Sequence, residues 1–403
     1  MPPPATGASL DAPAVPRTEH APLTSLLLNI AHGVDHLVLL VFATAVGAIA
    51  ADFGFSRWED LMPFATGAFV LFGLGSVPAG RLGDHWGRRA MMLVFLFGVG
   101  AACLIAAATR NAWQLAAALT LLGAFASIYH PVGIPMLVQH TSRPGAVIGV
   151  NGLAGNLGIA AAAVMTGFLV KYAGWRMAFV VPGLVSIALG LLFLRVVPRE
   201  ESPPAKRAAK QSDLPRSELV RAVLILTITS TCGSLVFNFT TNGNGELMAD
   251  RLRAVTGDPA IIGGLLGLVY VVASFAQLVV GRAIDRFPLK RLFLFIVLMQ
   301  IPLFVLAMYA QGWVFYAVAI AFMGFVFGAI PFTDALIVRY VDDRMRSRVA
   351  GVRLAIAFGV SSLAVWLLGP LVKANGFAFL LGLMAAIAAV SAIAVTRLPQ
   401  ANR

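Results

Sequence analysis

The sequence predicts an all-α membrane protein with twelve transmembrane helices in two six-helix bundles. Three observations carry this expectation. Hydrophobic residues fill 59% of 403 positions and charged residues only 12%, too few charges to clothe a water-soluble surface. Apolar runs of about 20 residues, each enough to cross roughly 30 Å of hydrocarbon, recur from Leu23 onward. A charged motif also repeats half a chain apart: Gly80, Arg81, Asp84 and Arg89 of GRLGDHWGRR return as Gly281, Arg282, Asp285 and Lys290 of GRAIDRFPLKR, an offset of 201 residues.

Residues 1–22, rich in Pro and Ala and without an apolar core, read as a disordered cytoplasmic tail. The first bundle is expected over 23–195, with helices at 24–50, 60–79, 90–108, 112–139, 146–170 and 175–194. Its first run ends in Ala48, Ile49 and Ala50, an A-x-A tripeptide of the kind a signal peptidase cuts. That run is about twice the length of a signal core and carries three polar side chains, so it reads as a membrane helix. Pro131 and Pro135 are expected to kink the fourth helix. The Pro- and charge-rich stretch 196–219 reads as a flexible cytoplasmic linker. The second bundle is expected over 220–397, with helices at 220–248, 260–280, 291–310, 313–338, 348–372 and 377–396, followed by a cytoplasmic tail at 398–403. Helix 7 ends in FNFTTNGNGELMADR, whose glycines and asparagines have poor helix propensity, so its outer half can unwind.

A net charge of +12 could suggest nucleic acid, but the basic residues sit in short loops, concentrated on alternate sides of the helices. That asymmetry is a topology signal, placing both termini in the cytoplasm of a multi-pass inner-membrane protein. Cys103 and Cys232 fall in different helices and suggest neither a disulfide nor a metal site. GxSxG, Walker, CxxC and HExxH patterns are missing, so neither an enzyme nor an ATP-driven pump is expected. The expected partners are a small-molecule substrate, protons and the lipid bilayer, with no cofactor, no nucleic acid and a monomeric chain.

AHGVDHLVLLVF, residues 31–42, puts His32, Asp35 and His36 in an apolar helix. Counting at 1.5 Å per residue from Thr24, they lie roughly 12–18 Å along it, near mid-bilayer. A charge at that depth costs at least about 2.5–3.5 kcal/mol, so these groups should face a partner or a wet cavity. Spacing i, i+3, i+4 stacks all three on one face. His130, beside Pro131, lies at a depth similar to His32 in helix 4. Imidazoles and a carboxylate in such a place are proton-relay candidates. The same four side chains, His32, Asp35, His36 and His130, could alternatively ligate a divalent transition metal. Asn151 lies among Gly149, Gly152, Gly155 and Gly158 of helix 5, Asn238 near the midplane of helix 7, and Glu246 near its outer mouth; all three are cavity candidates. Asp334 of helix 10 and Arg353 of helix 11 share a depth near the cytoplasmic surface and could form a pair or gate, or Arg353 could instead snorkel to the interface.

GRLGDHWGRR resembles the loop between helices 2 and 3 of the major facilitator superfamily, in a chain of matching length, helix count and duplication. The resemblance implies a secondary transporter alternating between inward-open and outward-open states, with substrate bound between the bundles. It also implies that Asp84, with Arg81, Arg88 and Arg89 as partners and Gly80 and Gly87 framing them, holds the outward-facing state together. In the second copy Asp285 takes the corresponding place, but Pro288 and Leu289 replace Gly87 and Arg88. Helices 1 and 4 of that family line the cavity, so His32 and His130 would approach each other there. AHGVDH, GAFASIYHPVG and GVNGLAGNLGIAAAA are further similar to the fosmidomycin-resistance-type exporters, from which the chain departs at Asp35-His36 and at Val132. Together these imply proton-coupled export of a small organic compound of drug or organic-anion type, with transport of a transition metal or chelate as the alternative.

Overall fold

The computed structural model describes residues 21–139, 141, 144–199, 216–284, 286–340 and 343–398, and their regular structure is entirely helical. Helix α1 runs Ala21–Asp52. Helix α2 is Trp58–Leu74 joined to Ser76–Trp86 with a 45° bend. Helices α3 (Arg88–Ala107), α4 (Ala112–Val138), α5 (Pro144–Ala173) and α6 (Trp175–Val196) complete the first half. The second half holds α7 (Arg216–Arg251), α8 (Pro259–Ile284), α9 (Leu289–Tyr309) and α10, which is Gly312–Gly328 continued by Ile330–Tyr340. The last helical run is divided by Gly376 at φ 76° into α11 (343–375) and α12 (377–396). Ten helical runs are long and apolar enough to cross a membrane; bent α2 adds an eleventh, and the division at Gly376 a twelfth, among the described residues.

Two sequence expectations are corrected. The charged motif at 80–89 is mostly not a loop: α2 continues to Trp86, and the chain turns only at Gly87, with φ 87°. Arg81 and Asp84 therefore project from the last turns of a helix. Helix α7 does not unwind but continues to Arg251. Its polar side chains bond back onto their own helix: Asn238 donates to the Ser234 carbonyl, Thr241 to Phe237 and Asn242 to Asn238. Tight burial of Asn242 and Asn244 against neighbouring helices overrides their weak intrinsic propensity. The expected tails and linker lie mostly outside the described residues, as does Asp285; the side chains of Asp334 and Arg353 do as well.

In lipid, apolar surface alone does not hold helices together; close packing does. Helices α1 and α5 meet at Gly33 and Gly158, where a Cβ on Gly158 would come 2.0 Å from the Gly33 carbonyl oxygen. The two halves touch mainly along α5 against α8 and α2 against α11. At α5–α8, a Cβ on Gly263 would lie 3.1 Å from the Gly167 Cα. The duplication survives in tertiary contacts: Arg89 donates to the carbonyl of Val197, and Lys290 donates to the carbonyl of Leu398, both 201 residues further on.

Between the halves lies a cavity of about 2120 Å³. It is open at the end carrying Arg81, Asp84, Arg88 and Arg282. At the opposite end two ion pairs span the halves, Lys171 with Asp258 from α5 to the start of α8, and Lys373 with Asp60 from α11 to α2. They join corresponding helix ends of the repeat, out of exact register with the 201-residue offset, and Trp58 stacks on Phe377 beside the second. Lys171 holds the Asp258 carboxyl below the usual carboxylate range.

Candidate functional site

The cavity's blind end is built on α1, α4 and α5. Helical spacing puts His32 and His36 one turn apart, and their Nε2 atoms are 3.1 Å from each other. The fourth helix brings in its aromatic pair through a π-helical turn, Tyr129–Gly133. Pro131 and Pro135 lack N–H groups, so the regular hydrogen-bond ladder fails there and a wider turn takes its place. The Tyr129 ring lies flat on His32, centroids 4.7 Å apart and planes 11° apart. The next residue, His130, sits edge-on to His32 at 5.1 Å and to His36 at 5.7 Å. Its Nε2 is 3.8 Å from Asp35 Oδ2, an ion-pair distance too long for a hydrogen bond.

Asp35 is fully buried, and neither of its oxygens accepts a hydrogen bond among the described residues. A charge on it would cost several kcal/mol unless a proton or a cation accompanied it. The imidazoles stand between it and the cavity, whose lining includes all three histidines but not the acid. From α5, the Asn151 carbonyl accepts from His32 Nδ1 at 2.7 Å. The Asn151 amide donates to Tyr129 Oη at 2.7 Å and to Asn29 Oδ1 at 2.9 Å, and Tyr129 Oη in turn donates to the Leu28 carbonyl.

Nitrogen atoms of His32, His36 and His130 come within 4.8 Å of one another. Both His32 nitrogens are nonetheless engaged by protein partners, Nδ1 by Asn151 and Nε2 by His36, which disfavours the metal reading.

The remaining candidates separate. Asn238 lines the cavity and donates to Ser361 Oγ at 2.8 Å. Glu246 does not line it; it lies against Gly47 in a smaller cavity of about 570 Å³ at the closed end, with Arg57 and Glu59. Gly80, Arg81, Asp84 and Arg88 line the open mouth, and Asp84 makes no ion pair with described residues. Arg89 is spent elsewhere, its guanidinium donating to the Leu194 and Val197 carbonyls at the end of α6. Sequence reasoning did not single out Tyr129, Asn29 or Gln277, the last of which accepts from Asn156 across the α5–α8 seam. Tyr129 stood beside His130, and Asn29 lies one turn before His32; adjacency to the charged residues was the available signal. The imidazoles belong to the first half, whereas the second-half wall opposite them, with Ser230, Asn238, Thr241, Gln277 and Gln300, is uncharged among the described residues apart from Arg282 at the open mouth.

Comparison with known proteins agrees with this architecture. The model of the Major Facilitator Superfamily matches residues 28–245. The puromycin resistance protein of Streptomyces alboniger is 28% identical over 346 residues, 79% of this chain and 63% of that protein. The tetracenomycin C resistance and export protein of Streptomyces glaucescens is 30% identical over 189 residues, 44% of this chain and 34% of that one. The 4-hydroxybenzoate transporter of Pseudomonas aeruginosa is 24% identical over 277 residues, 60% and 61% of the two. The chain thus spans less than two thirds of the length of these relatives. A bacterial homolog of the human lysosomal transporter Spinster, in an inward-facing and unoccupied conformation, superposes with a TM-score of 0.69 at 16% identity over 95% of each chain. Its occupied inward-facing form gives 0.71 at 15% identity, again over 95% of each. With the matched model covering more than half of its length, the chain belongs to the Major Facilitator Superfamily, a family of membrane transporters rather than enzymes.

Proposed function

We propose that this protein is a proton-coupled exporter of a small organic compound, working by alternating access between bundles at 23–195 and 220–397. The observation that carries this reading is the Asp35 and histidine cluster at the blind end of a cavity open at one end only. The basic residues at its mouth favour a cytoplasmic opening and cytoplasmic termini in the inner membrane. In that orientation the structure corresponds to the inward-facing state. Asp35, in contact with His130, would release its proton to the cytoplasm through the imidazoles as substrate enters. After the bundles rock, protonation from outside would favour substrate release. Asp84, unpaired with described residues while its end is open, is suited to hold the opposite state, together with Arg81 and Arg88. Glu246, near the closed end, is suited to a protonation step reached from that side.

The relatives' names point to aromatic compounds, among them puromycin, tetracenomycin C and 4-hydroxybenzoate. Phe69, Phe72, Phe237 and Phe293 along the cavity suit such rings. The three motif stretches of helices 1, 4 and 5 support a place near the fosmidomycin-resistance-type exporters. The test is uptake of labelled puromycin and 4-hydroxybenzoate by proteoliposomes under an imposed pH gradient. Gradient-driven accumulation of at least one compound is expected; transport of both at rates indifferent to the gradient would reject the coupling.

A further inference from the structure

We infer that His32 and His36 act as a single one-proton site whose hydrogen arrangement is dictated by α5, with Tyr129, Asn151 and Gly155 as its positioning residues. The inference deepens the proton-coupled reading and rests on it for its role in transport.

A peptide carbonyl only accepts hydrogen bonds, so the contact to the Asn151 carbonyl at 2.7 Å requires the hydrogen on His32 Nδ1. Neutral His32 therefore presents its lone pair at Nε2. The Nε2 of His36 lies 3.1 Å away, and a bond between two ring nitrogens needs one hydrogen, so neutral His36 carries its own on Nε2 and its lone pair on Nδ1. An added proton binds at His36 Nδ1 and leaves both hydrogen bonds intact. The bridging hydrogen can then pass to His32 Nε2, moving the positive charge from one ring to the other with no change in proton count. A second proton would set two N–H groups head to head at 3.1 Å and place two charges there, which breaks the pair. The unit therefore counts one proton.

The surroundings fix this register. The flat Tyr129 ring covers one face of His32, and its hydroxyl is tied to α1 at the Leu28 carbonyl and to α5 at the Asn151 amide. On the α5 side the ring meets Gly155, where a Cβ would lie 2.6 Å from His32 Cε1. Any side chain at 155 would push the imidazole off the carbonyl. The titratable groups facing the pair are Asp35 from α1 and His130 and Tyr129 from α4. Helix α5 presents only uncharged groups there, and α2 presents Phe72 against His130.

The test is solid-state NMR of the full chain, labelled with ¹⁵N-histidine, in phosphatidylethanolamine/phosphatidylglycerol bilayers. The six histidines are assigned with the aid of His32→Gln and His36→Gln. The expected spectrum has His32 as the Nδ1–H tautomer and, as pH falls, one imidazolium shared between the two rings. Gly155→Ala is expected to mix the His32 tautomers and let the two rings titrate separately. Tyr129→Phe keeps the stacked ring and guards against misfolding of the glycine variant. It removes the hydroxyl's bonds to the Leu28 carbonyl and from the Asn151 amide, and is expected to shift the pair's titration by about 0.5–1 pH unit through the loosened Asn151 contact. His32 found as the Nε2–H tautomer, or two full imidazolium ions in the wild type while the fold is intact, would overturn the inference. Puromycin and 4-hydroxybenzoate flux measured on the same samples separates the two ideas: an indifferent flux with the expected spectrum sinks the coupling, whereas a gradient-driven flux with the wrong tautomer sinks the one-proton pair.

Discussion

Asp35 is buried to 0% exposure with no donor on either oxygen among the described residues, a state that only a shared proton or cation makes inexpensive. Replacing it with Asn removes the exchangeable proton while keeping the shape. Asp35→Asn is expected to lower gradient-driven accumulation at least about tenfold, as removal of a coupling group should, while counterflow exchange persists. Loss of both together would instead mark a structural role. The residue was legible in the sequence because an acid in an apolar helix is costly wherever it points, and the histidines beside it, His36 next in the chain and His32 about one turn before, shared that logic. Tyr129 and Asn29 were not, since a tyrosine or asparagine in a membrane helix is unremarkable until its partners are known. Gln277 likewise acquires meaning only from Asn156, 121 residues away, across the seam between the halves.

Hydrophobic length told where helices lie but not where they bend or stop. By charge and glycine content GRLGDHWGRR looks like a loop, which would end helix α2 near 79; in fact its residues keep helical geometry until Gly87. At φ 87° and ψ 144° that position suits glycine almost alone. Gly87→Val is expected to strain the turn by about 1–3 kcal/mol and to lower the unfolding temperature in detergent, whereas Asp84→Ala should leave it nearly unchanged. Helix α7 fails in the opposite direction. Its asparagines and threonines are poor helix formers in isolation, but here they bond to carbonyls one turn back and are packed by neighbours, a tertiary effect that no local propensity records. The π turn at Tyr129–Gly133 was half legible: two prolines announced an irregularity, and the wider turn was the form it took.

At the scale of the whole molecule, the paired clamps Lys171–Asp258 and Lys373–Asp60 close one end, and helix counting alone could not reveal them. Each is solvent-exposed and so individually weak, yet both act on one equilibrium. Lys171→Ala with Lys373→Ala is expected to raise the population open at that end by roughly two- to tenfold, read from distances between spin labels on α5 and α8, and high salt should mimic it. An unchanged distance distribution would count against the clamp. Because Asp258 is held below its usual range, its contribution is full at neutral pH and fades only as the pH at that end falls through that lowered value. Last, all three imidazoles that face the cavity stand on the first half, and the opposing wall offers hydroxyls and amides. On the proposed reading, the proton-handling groups stand on one repeat and the polar wall facing them on the other, so substitutions along that second wall are expected to change which molecule is carried while leaving the coupling groups untouched.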